Sequence, residues 1–579
     1  MTMLTKWGAA LDRSCPLPEY PRPQLRRESF YNLNGVWDYA VTPSGDEPEV
    51  WDGEIVVPFS PEAPLSGAAR GPAKNEYLHY RRGFTLPEGF QKSRVLLHFG
   101  AVDQIAEVFV NGVSAAKHSG GYWPFSADIT SLLREGENIL RVTVRDNADD
   151  PTFAYGKQRY KRGGMWYTAQ SGIWQTVWLE SVPEVYVKSL RITPEFDEAR
   201  VRIELETALE SSAAITCDVR AADGSFVAGS WAKGGVCVIP LPGFRAWTPD
   251  DPYLYTLDIT CGEDRVESYF AMRKFSYVEL DGHKVFGLNN APLFHNGLLD
   301  QGYYPDGLLT PPSDEAMVND IETMKRCGFN MLRKHIKIEP LRWYYHCDRL
   351  GMIVWQDMVS GGQPYSFLHV SALPTLGKVD LPDQDAKPYG RRGVLSRARF
   401  RREMADTVRL LYNCPCIALW TVFNEGWGQF DALDMANELK KLDPTRFIDH
   451  ASGWQDQGYE EMKSRHIYFR PVKLKNDGRA LALTEYGGYI LAVDGHRWTD
   501  KVFGYRICRD SAALAHDYEK LMLGQVLPHI RKEGLTAAVY TQITDVEEEL
   551  NGLMTYDREV LKIPEETLRE INAALRFDT

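Results

Sequence analysis

From about residue 276 to the C-terminus the chain alternates amphipathic helical stretches with short, wholly apolar runs, and few folds tolerate that pattern. Ser313 can cap a helix whose first turn carries Asp314 and Glu315, facing the positive end of the helix dipole. Met317, Ile321 and Met324 fall on one face of it, and Gly328 can end it in a left-handed conformation. Phe329–Leu332 then reads as a buried strand. The cycle recurs: Pro340 opens a helix, Gly351 closes it, and Met352–Trp355 is the next strand. A third helix, Arg399–Tyr412, precedes the apolar run Ile417–Val422. Strands apolar at every position are buried on both faces, which is the situation of a parallel sheet covered by helices. Residues 276–579 give enough length for an eight-stranded (β/α)8 barrel with insertions. The Pro- and Gly-rich stretch 361–395 is too long for a plain connection, and insertions of that size often wall active sites.

The first 275 residues follow a different period. Arg94–Phe99 and Ala106–Val110 read as strands, the second closed by Asn111-Gly112, a dipeptide suited to the positive φ angles of a type I′ turn. Ile139–Val144 alternates again, and many short strands without long helices predict a jelly-roll β-sandwich over 1–182. Leu190–Ile192, Val201–Leu205, Ile215–Val219 and Leu254–Ile259 repeat the pattern in a shorter segment, 183–275, of the size of an immunoglobulin-like sandwich.

The net charge of −13, with both signs interspersed, leaves no phosphate-tracking surface and argues against nucleic acid as a partner. Nine irregularly spaced cysteines predict reduced thiols in a cytoplasmic protein; Cys414 and Cys416 lack a second pair for zinc and read as buried structural thiols. Met1–Tyr20 holds no run of signal-peptide length and no later run suits a membrane span.

In a barrel of this type the reactive groups lie just past the C-terminal ends of the strands. Glu425 follows the strand Ile417–Val422, and Glu485 ends the apolar run beginning at Leu481. They are 485 − 425 = 60 residues apart, room for two to three β/α units. A carboxylate ending a buried strand is costly unless paired or solvated, so either one alone is equally well a structural salt bridge. Two at the same barrel end suit glycoside cleavage, in which one carboxyl protonates the leaving oxygen and the other meets the cationic sugar carbon.

At these residues the chain resembles glycoside hydrolase family 2, which includes β-galactosidases, β-glucuronidases and β-mannosidases. Asn32–Trp37 resembles the opening of that family's sugar-binding jelly roll, and Ser171–Val177 its closing strand. Trp247–Asp250 with Pro252, Leu254 and Tyr255 resembles the end of its immunoglobulin-like domain. Gly328–Asn330 with Arg333, then Cys347-Asp348 and Leu350-Gly351, resembles the second and third barrel units, and Asn424-Glu425 and Thr484–Gly487 its catalytic signatures. The resemblance implies a retaining, exo-acting β-glycoside hydrolase with Glu425 as acid/base and Glu485 as nucleophile. It also implies that Asn424 binds the sugar 2-hydroxyl and that Arg333 holds Glu485 ionised, a structural ion pair within the barrel being the alternative. Tyr468, in the strand His466–Phe469, is a candidate donor that orients Glu485, with a packed tyrosine as the equal alternative. Asp300, Gln301, His335, Gln356 and Asp357, at the ends of strands one to three, are candidate sugar contacts, and Trp427 and Trp454 candidate stacking platforms; for each, a structural role is an equal alternative.

The match frays around the sugar. The second strand continues Lys334-His335-Ile336-Lys337, the third ends Gln356-Asp357, and the eighth is followed by Gln542 to Asp545 where the family carries a Trp platform, so that Gln542 or Asp545 becomes the polar contact there. The lysine clamp of the glucuronidases has only Asn551–Met554 in its place, with Lys334, Lys337 and Arg558 as substitutes. The expected substrate is therefore an oligosaccharide or glycoside with a neutral terminal sugar, by default a β-galactoside, with the uronides as the alternative and no metal or other cofactor. Rival readings are a non-catalytic carbohydrate-binding protein and a transglycosylase, and homo-oligomerisation stays open.

Overall fold

A computed structural model describes residues 3–209, 214–376 and 380–578; residues 377–379, within the 361–395 insertion, lie outside the described residues. The amino-terminal β region forms two antiparallel sheets. One orders the strands Phe30–Asn32, Val177–Val182, Arg94–Phe99 and Phe125–Asp128. The other runs Gly53–Val57, Gly35–Thr42, Tyr77–Thr85, Glu137–Arg145, Ile105–Val110 and Val113–Ser119. Their apolar faces enclose one core around Trp37, Tyr80, Leu97 and Val142. The hairpin joining the last two strands turns at Asn111 and Gly112, with φ of 53° and 82°, as a type I′ turn demands.

A seven-stranded sandwich follows, with three strands (Val187–Glu195, Arg200–Thr207, Val236–Pro240) facing four (Phe226–Trp231, Ile215–Arg220, Tyr255–Cys261, Asp264–Phe270). Arg27 pins it to the jelly roll, its guanidinium donating to Asp264 and to Glu180 of the neighbouring sheet.

The carboxyl-terminal half is an eight-stranded parallel barrel. Its strands are β1 (His295–Asp300), β2 (Met331–Lys334), β3 (Ile353–Asp357), β4 (Ile417–Thr421), β5 (Phe447–Asp449), β6 (Met462–Ile467), β7 (Ala480–Gly487) and β8 (Leu535–Thr541). They pair in the order β5-β4-β3-β2-β1-β8-β7-β6. Among the described residues no backbone ladder joins β5 to β6. Side chains bridge that seam: Ser464 of β6 donates to Asp449 Oδ1 (2.9 Å), and Gly453 N donates to Ser464 Oγ (3.3 Å).

Outside the barrel, α1 (Asp314–Arg326), α2 (Leu341–Leu350), α3 (Val394–Leu411) and α4 (Ala432–Leu442) cover the first strands. Ser313 caps α1 through Ala316 N, and Gly351 ends α2 at φ 74°. The third helix starts at Val394, five residues before the expected Arg399; its added turn is anchored by the buried Ser396, whose Oγ donates to Pro151 O (2.9 Å), although no side chain caps it. Strand β2 runs on through Arg333 and Lys334, two residues past the expected end, because both cations are buried against carboxylates. Three strands fit between Glu425 and Glu485 because only α4 intervenes; β6 and β7 follow without helices among the described residues.

Candidate active site

Arg333, on β2, is fully buried and spends all five of its N–H donors. Two grip Asp357 at the end of β3 (2.9 and 3.1 Å), one reaches Glu485 Oε1 (3.0 Å), one Thr484 O (3.1 Å) and one Asn424 Oδ1 (2.8 Å). Asp357 also accepts from His335 Nδ1 (2.7 Å). Burial would raise its carboxyl, but Arg333 and His335 hold it at about 2. One guanidinium thus ties together the ends of β2, β3 and β7 and the loop after β4.

Glu485 owes its direction to irregular pairing of β7. The register with β6 steps from Arg465↔Leu483 to His466↔Glu485, and that with β8 from Leu483↔Ala538 to Tyr486↔Tyr540. Such a bulge re-aims a side chain that regular alternation would place elsewhere. Glu485 Oε2 accepts from Tyr468 Oη (2.6 Å), whose ring is stacked on Tyr505 at 3.9 Å. Tyr468 lies one residue beyond β6, not within it.

Glu425 stands four residues past β4 with φ 53°, a left-handed conformation uncommon for a residue with a side chain. Hydrogen bonds fix it there: Glu425 N donates to Ser452 O (2.9 Å), and Ser452 N to Phe423 O (2.7 Å). Its Oε1 lies 2.8 Å from His466 Nδ1, and the same nitrogen is 3.5 Å from Glu485 Oε2. These ligand-type atoms of Glu425, His466 and Glu485 all lie within 4.8 Å of one another, and this is the one such His/Cys/Asp/Glu trio among the described residues. Burial pushes the Glu425 carboxyl up to about 7, opposed by Lys157 and Arg333. Burial also raises Glu485, with His466, Arg333 and Tyr468 opposing and Glu425 adding to the rise. Carboxyls this close titrate as a coupled pair, in which ionising one opposes ionising the other.

A cavity of about 550 Å³ opens over Asn424 and Glu425. Its walls include Trp166, Tyr365, Trp454, Phe469 and Tyr505. Tyr365, Phe367 and Val370 come from the 361–395 insertion, which therefore is a wall of the site. The jelly roll supplies another wall, docked by Tyr167 Oη on Glu549 (2.6 Å) and Thr168 N on Glu547 (2.9 Å).

The remaining predicted residues divide. Trp454 lines the cavity with its ring 5.9 Å from His466. Trp427 also touches the cavity, but it is 4% exposed and packed between Tyr155 and Trp166, so little of its ring is open for stacking. Asp300 is tied to Lys334 Nζ (2.6 Å), and Gln301 is buried with its Oε1 unpartnered among the described residues. Gln356 bonds Tyr344 and the Lys337 carbonyl, Gln542 bonds Asn551, and Asp545 pairs with Lys562. The three cations named as substitutes for a uronate clamp are spent inside the fold. Lys334 pairs with Asp300 and Glu339, Lys337 with Glu339 and two carbonyls, and Arg558 with Asp320. Sequence reasoning assigned no role to His466, Lys157, Trp166 or Tyr505. For His466 the one pointer was its place two residues before Tyr468, at the end of the alternating strand Met462–Ile467; Lys157 and Trp166 sit on a jelly-roll loop with no pattern of their own.

Comparison with known sequences agrees with this architecture. Residues 30–183 match the model described as "Glycosyl hydrolases family 2, sugar binding domain", residues 185–273 "Glycosyl hydrolases family 2", and residues 311–474 "Glycosyl hydrolases family 2, TIM barrel domain". The chain belongs to glycoside hydrolase family 2. A β-galactosidase of Thermoanaerobacter pseudethanolicus is 25% identical over 387 residues, 63% of this chain and 47% of that protein. The chain thus spans about half the length of that relative. A β-glucuronidase of Paenibacillus borealis is 22% identical over 532 residues, 82% of this chain and 85% of the relative. Among solved structures, the β-D-glucuronidase of Dictyoglomus thermophilum superposes with a TM-score of 0.74 at 18% identity, covering 96% of this chain and 99% of that one. Among the described residues no helix is long and apolar enough to cross a membrane.

Proposed function

We propose that this family 2 protein is a retaining, exo-acting β-glycoside hydrolase working through Glu425 and Glu485. One observation carries the reading: a carboxylate oxygen of each lies within 4.8 Å of the other. Retaining glycosidases hold their carboxyls about 5–5.5 Å apart, whereas inverting enzymes need roughly 6.5–9.5 Å to seat a water. Glu485 attacks the anomeric carbon, the bond to the leaving oxygen breaks, and Glu425 gives that oxygen its proton. Glu425, now a carboxylate, takes a proton from water; the water oxygen attacks the same carbon and frees Glu485. In this reaction Asn424, whose Oδ1 accepts from Arg333, binds the sugar 2-hydroxyl.

Because Glu425 must be protonated in the first step and burial sets it at about 7, kcat/KM on an unactivated glycoside should fall as pH rises past about 7. Glu425→Gln should lose most of its rate on that unactivated glycoside, and the basic limb with it, while a dinitrophenyl glycoside, which needs no acid, keeps kcat/KM within a few-fold. A limb that persists unchanged would take the acid role from Glu425.

The preferred substrate class is a neutral terminal sugar, by default a β-galactoside, because Lys334, Lys337 and Arg558 are already neutralised within the fold. A second reading, a uronide, has one specific observation in its favour. Lys157 faces the cavity and, among the described residues, has no carboxylate within ion-pair distance; its ammonium is 5.6 Å from the Trp166 ring. A panel of nitrophenyl glycosides separates them. Turnover of galactoside, fucoside, mannoside or arabinoside above glucuronide and galacturonide is expected, and Lys157→Ala should then change the neutral rates only a few-fold. Cleavage of uronides alone, with Lys157→Ala costing about 10-fold or more through a lost charge-assisted contact, would reverse the assignment.

A further inference from the structure

His466 occupies the space between the two carboxyls and enters none of the bond-making steps above. Its Nδ1 lies 2.8 Å from Glu425 Oε1, and its Nε2 lies 3.2 Å from Ser452 Oγ, which is 3.0 Å from Thr484 Oγ1. The chain ends at the residue preceding Glu485. The imidazole is packed in place, since a Cβ on Gly453 would fall 2.3 Å from its Cγ. Ser452 is also the residue whose backbone holds Glu425 in its left-handed conformation. One short segment therefore fixes both the backbone of Glu425 and the imidazole against its side chain.

The two oxygens of Glu425 are unequal in consequence. Oε1 is taken by His466, whereas Oε2 has no hydrogen-bond partner among the described residues, on a side chain that is 20% exposed to the cavity. A proton can sit on either oxygen of a carboxylic acid, and only one placement is productive. We propose that His466 is a positioning residue that, by donating from Nδ1 to Oε1, keeps the acid proton of Glu425 on Oε2, where the leaving oxygen must arrive. The imidazole suits this part: burial pushes it down to about 4, so it is neutral and offers a single N–H. The charged groups acting on it are Glu485, Arg333, Asp357 and Lys157, and hydroxyls at Ser452 and Thr484 can rotate to accept or donate behind it. As Glu425 cycles between acid and carboxylate, Oε1 accepts from the same donor throughout, so the side chain has no need to turn between the two steps.

The inference rests on the proposed glycosidase reading, and the experiment separates the two. Two variants, His466→Ala and His466→Asn, are compared on a dinitrophenyl glycoside and on a methyl or alkyl glycoside of the same sugar. The asparagine amide replaces the Nδ1 donor; alanine does not. The expected result for His466→Ala is a loss of about 10²-fold in kcat/KM with the poor leaving group and less than about 5-fold with dinitrophenolate, the size of effect that misplaced proton donation produces. Its basic limb should also move to higher pH, since a donor to the Glu425 carboxylate is gone. His466→Asn should recover most of the lost rate. Equal losses with both leaving groups, or no recovery by asparagine, would mean that His466 merely packs, and would overturn the inference while leaving the glycosidase reading intact. A wild-type protein that cleaves none of the glycosides would overturn the reading beneath it.

Discussion

Glu485→Ala is expected to lower kcat/KM on any nitrophenyl glycoside the protein cleaves by at least about 10⁴-fold, the scale at which other hydrolases suffer from losing a covalent nucleophile. In the proposed reaction no other group can bond to the anomeric carbon, since Glu425 is on the leaving-group side. Truncation leaves a gap lined by Arg333 and Tyr468, the two donors that hold the carboxylate (3.0 and 2.6 Å). A small anion such as azide or formate fits both the charge and the volume of that gap. It should restore part of the rate and give a product of inverted configuration, because one displacement replaces two. Folding is not expected to fail with the substitution: Arg333 keeps Asp357 and Asn424, and Tyr468 keeps its contact with Thr541 Oγ1 (2.9 Å). The measurement is therefore clean. Residual turnover near that of the wild type, or an inactive, folded variant that azide leaves inactive, would remove Glu485 from the nucleophile's place. Covalent labelling by a fluoroglycoside at Glu485 would separately exclude the rival reading of a non-catalytic carbohydrate-binding protein.

The parts of this molecule that were legible beforehand are those where periodicity or a motif carries the physics. Apolar runs such as Ile417–Thr421 declared the parallel barrel, since only a strand covered on both faces can afford them. Asn111-Gly112 declared its hairpin because few residues accept two positive φ angles in succession. Glu425 and Glu485 were reached from their place at the ends of barrel strands, their separate roles and Asn424 and Arg333 through a resemblance, and the structure brings all four within one hydrogen-bonded cluster. What escaped was set by long-range pairing. Whether Lys334 reads a sugar or neutralises Asp300 depends on a carboxylate 34 residues away, and the fold chose the second. Lys157 reaches the catalytic cavity only because the jelly roll docks on the barrel mouth through Tyr167 and Thr168. No spacing rule reports such a contact. His466 was missed for a third reason: its place between the carboxyls depends on the irregular register of β7, invisible to a period-two reading.

Arg333→Met should have the largest effect on stability of any single substitution in the site. The guanidinium is fully buried and makes ion pairs with Asp357 and Glu485, themselves almost wholly buried. Methionine fills much of the volume but leaves those carboxylates, Asn424 Oδ1 and Thr484 O without their donor. Removing one partner of a buried ion pair costs about 3–5 kcal/mol, chiefly through the charge left behind. Arg333→Lys should recover only part of it, since one ammonium cannot span acceptors on four residues. The pH dependence distinguishes this cause from simple loss of packing. In the wild type Asp357 is depressed to about 2 from 3.8. Its stabilisation is thus present above about pH 4 and is lost as pH falls toward about 2. In Arg333→Met the buried carboxyl is no longer depressed but raised, so the variant gains stability relative to its own value at pH 7 as acid neutralises it. The difference between wild type and variant, followed by denaturant unfolding of the barrel, should therefore be larger at pH 7 than at pH 4. A penalty that stays constant across that range would mean that Arg333 contributes by volume alone, and that the charge holding Glu485 in place comes from elsewhere.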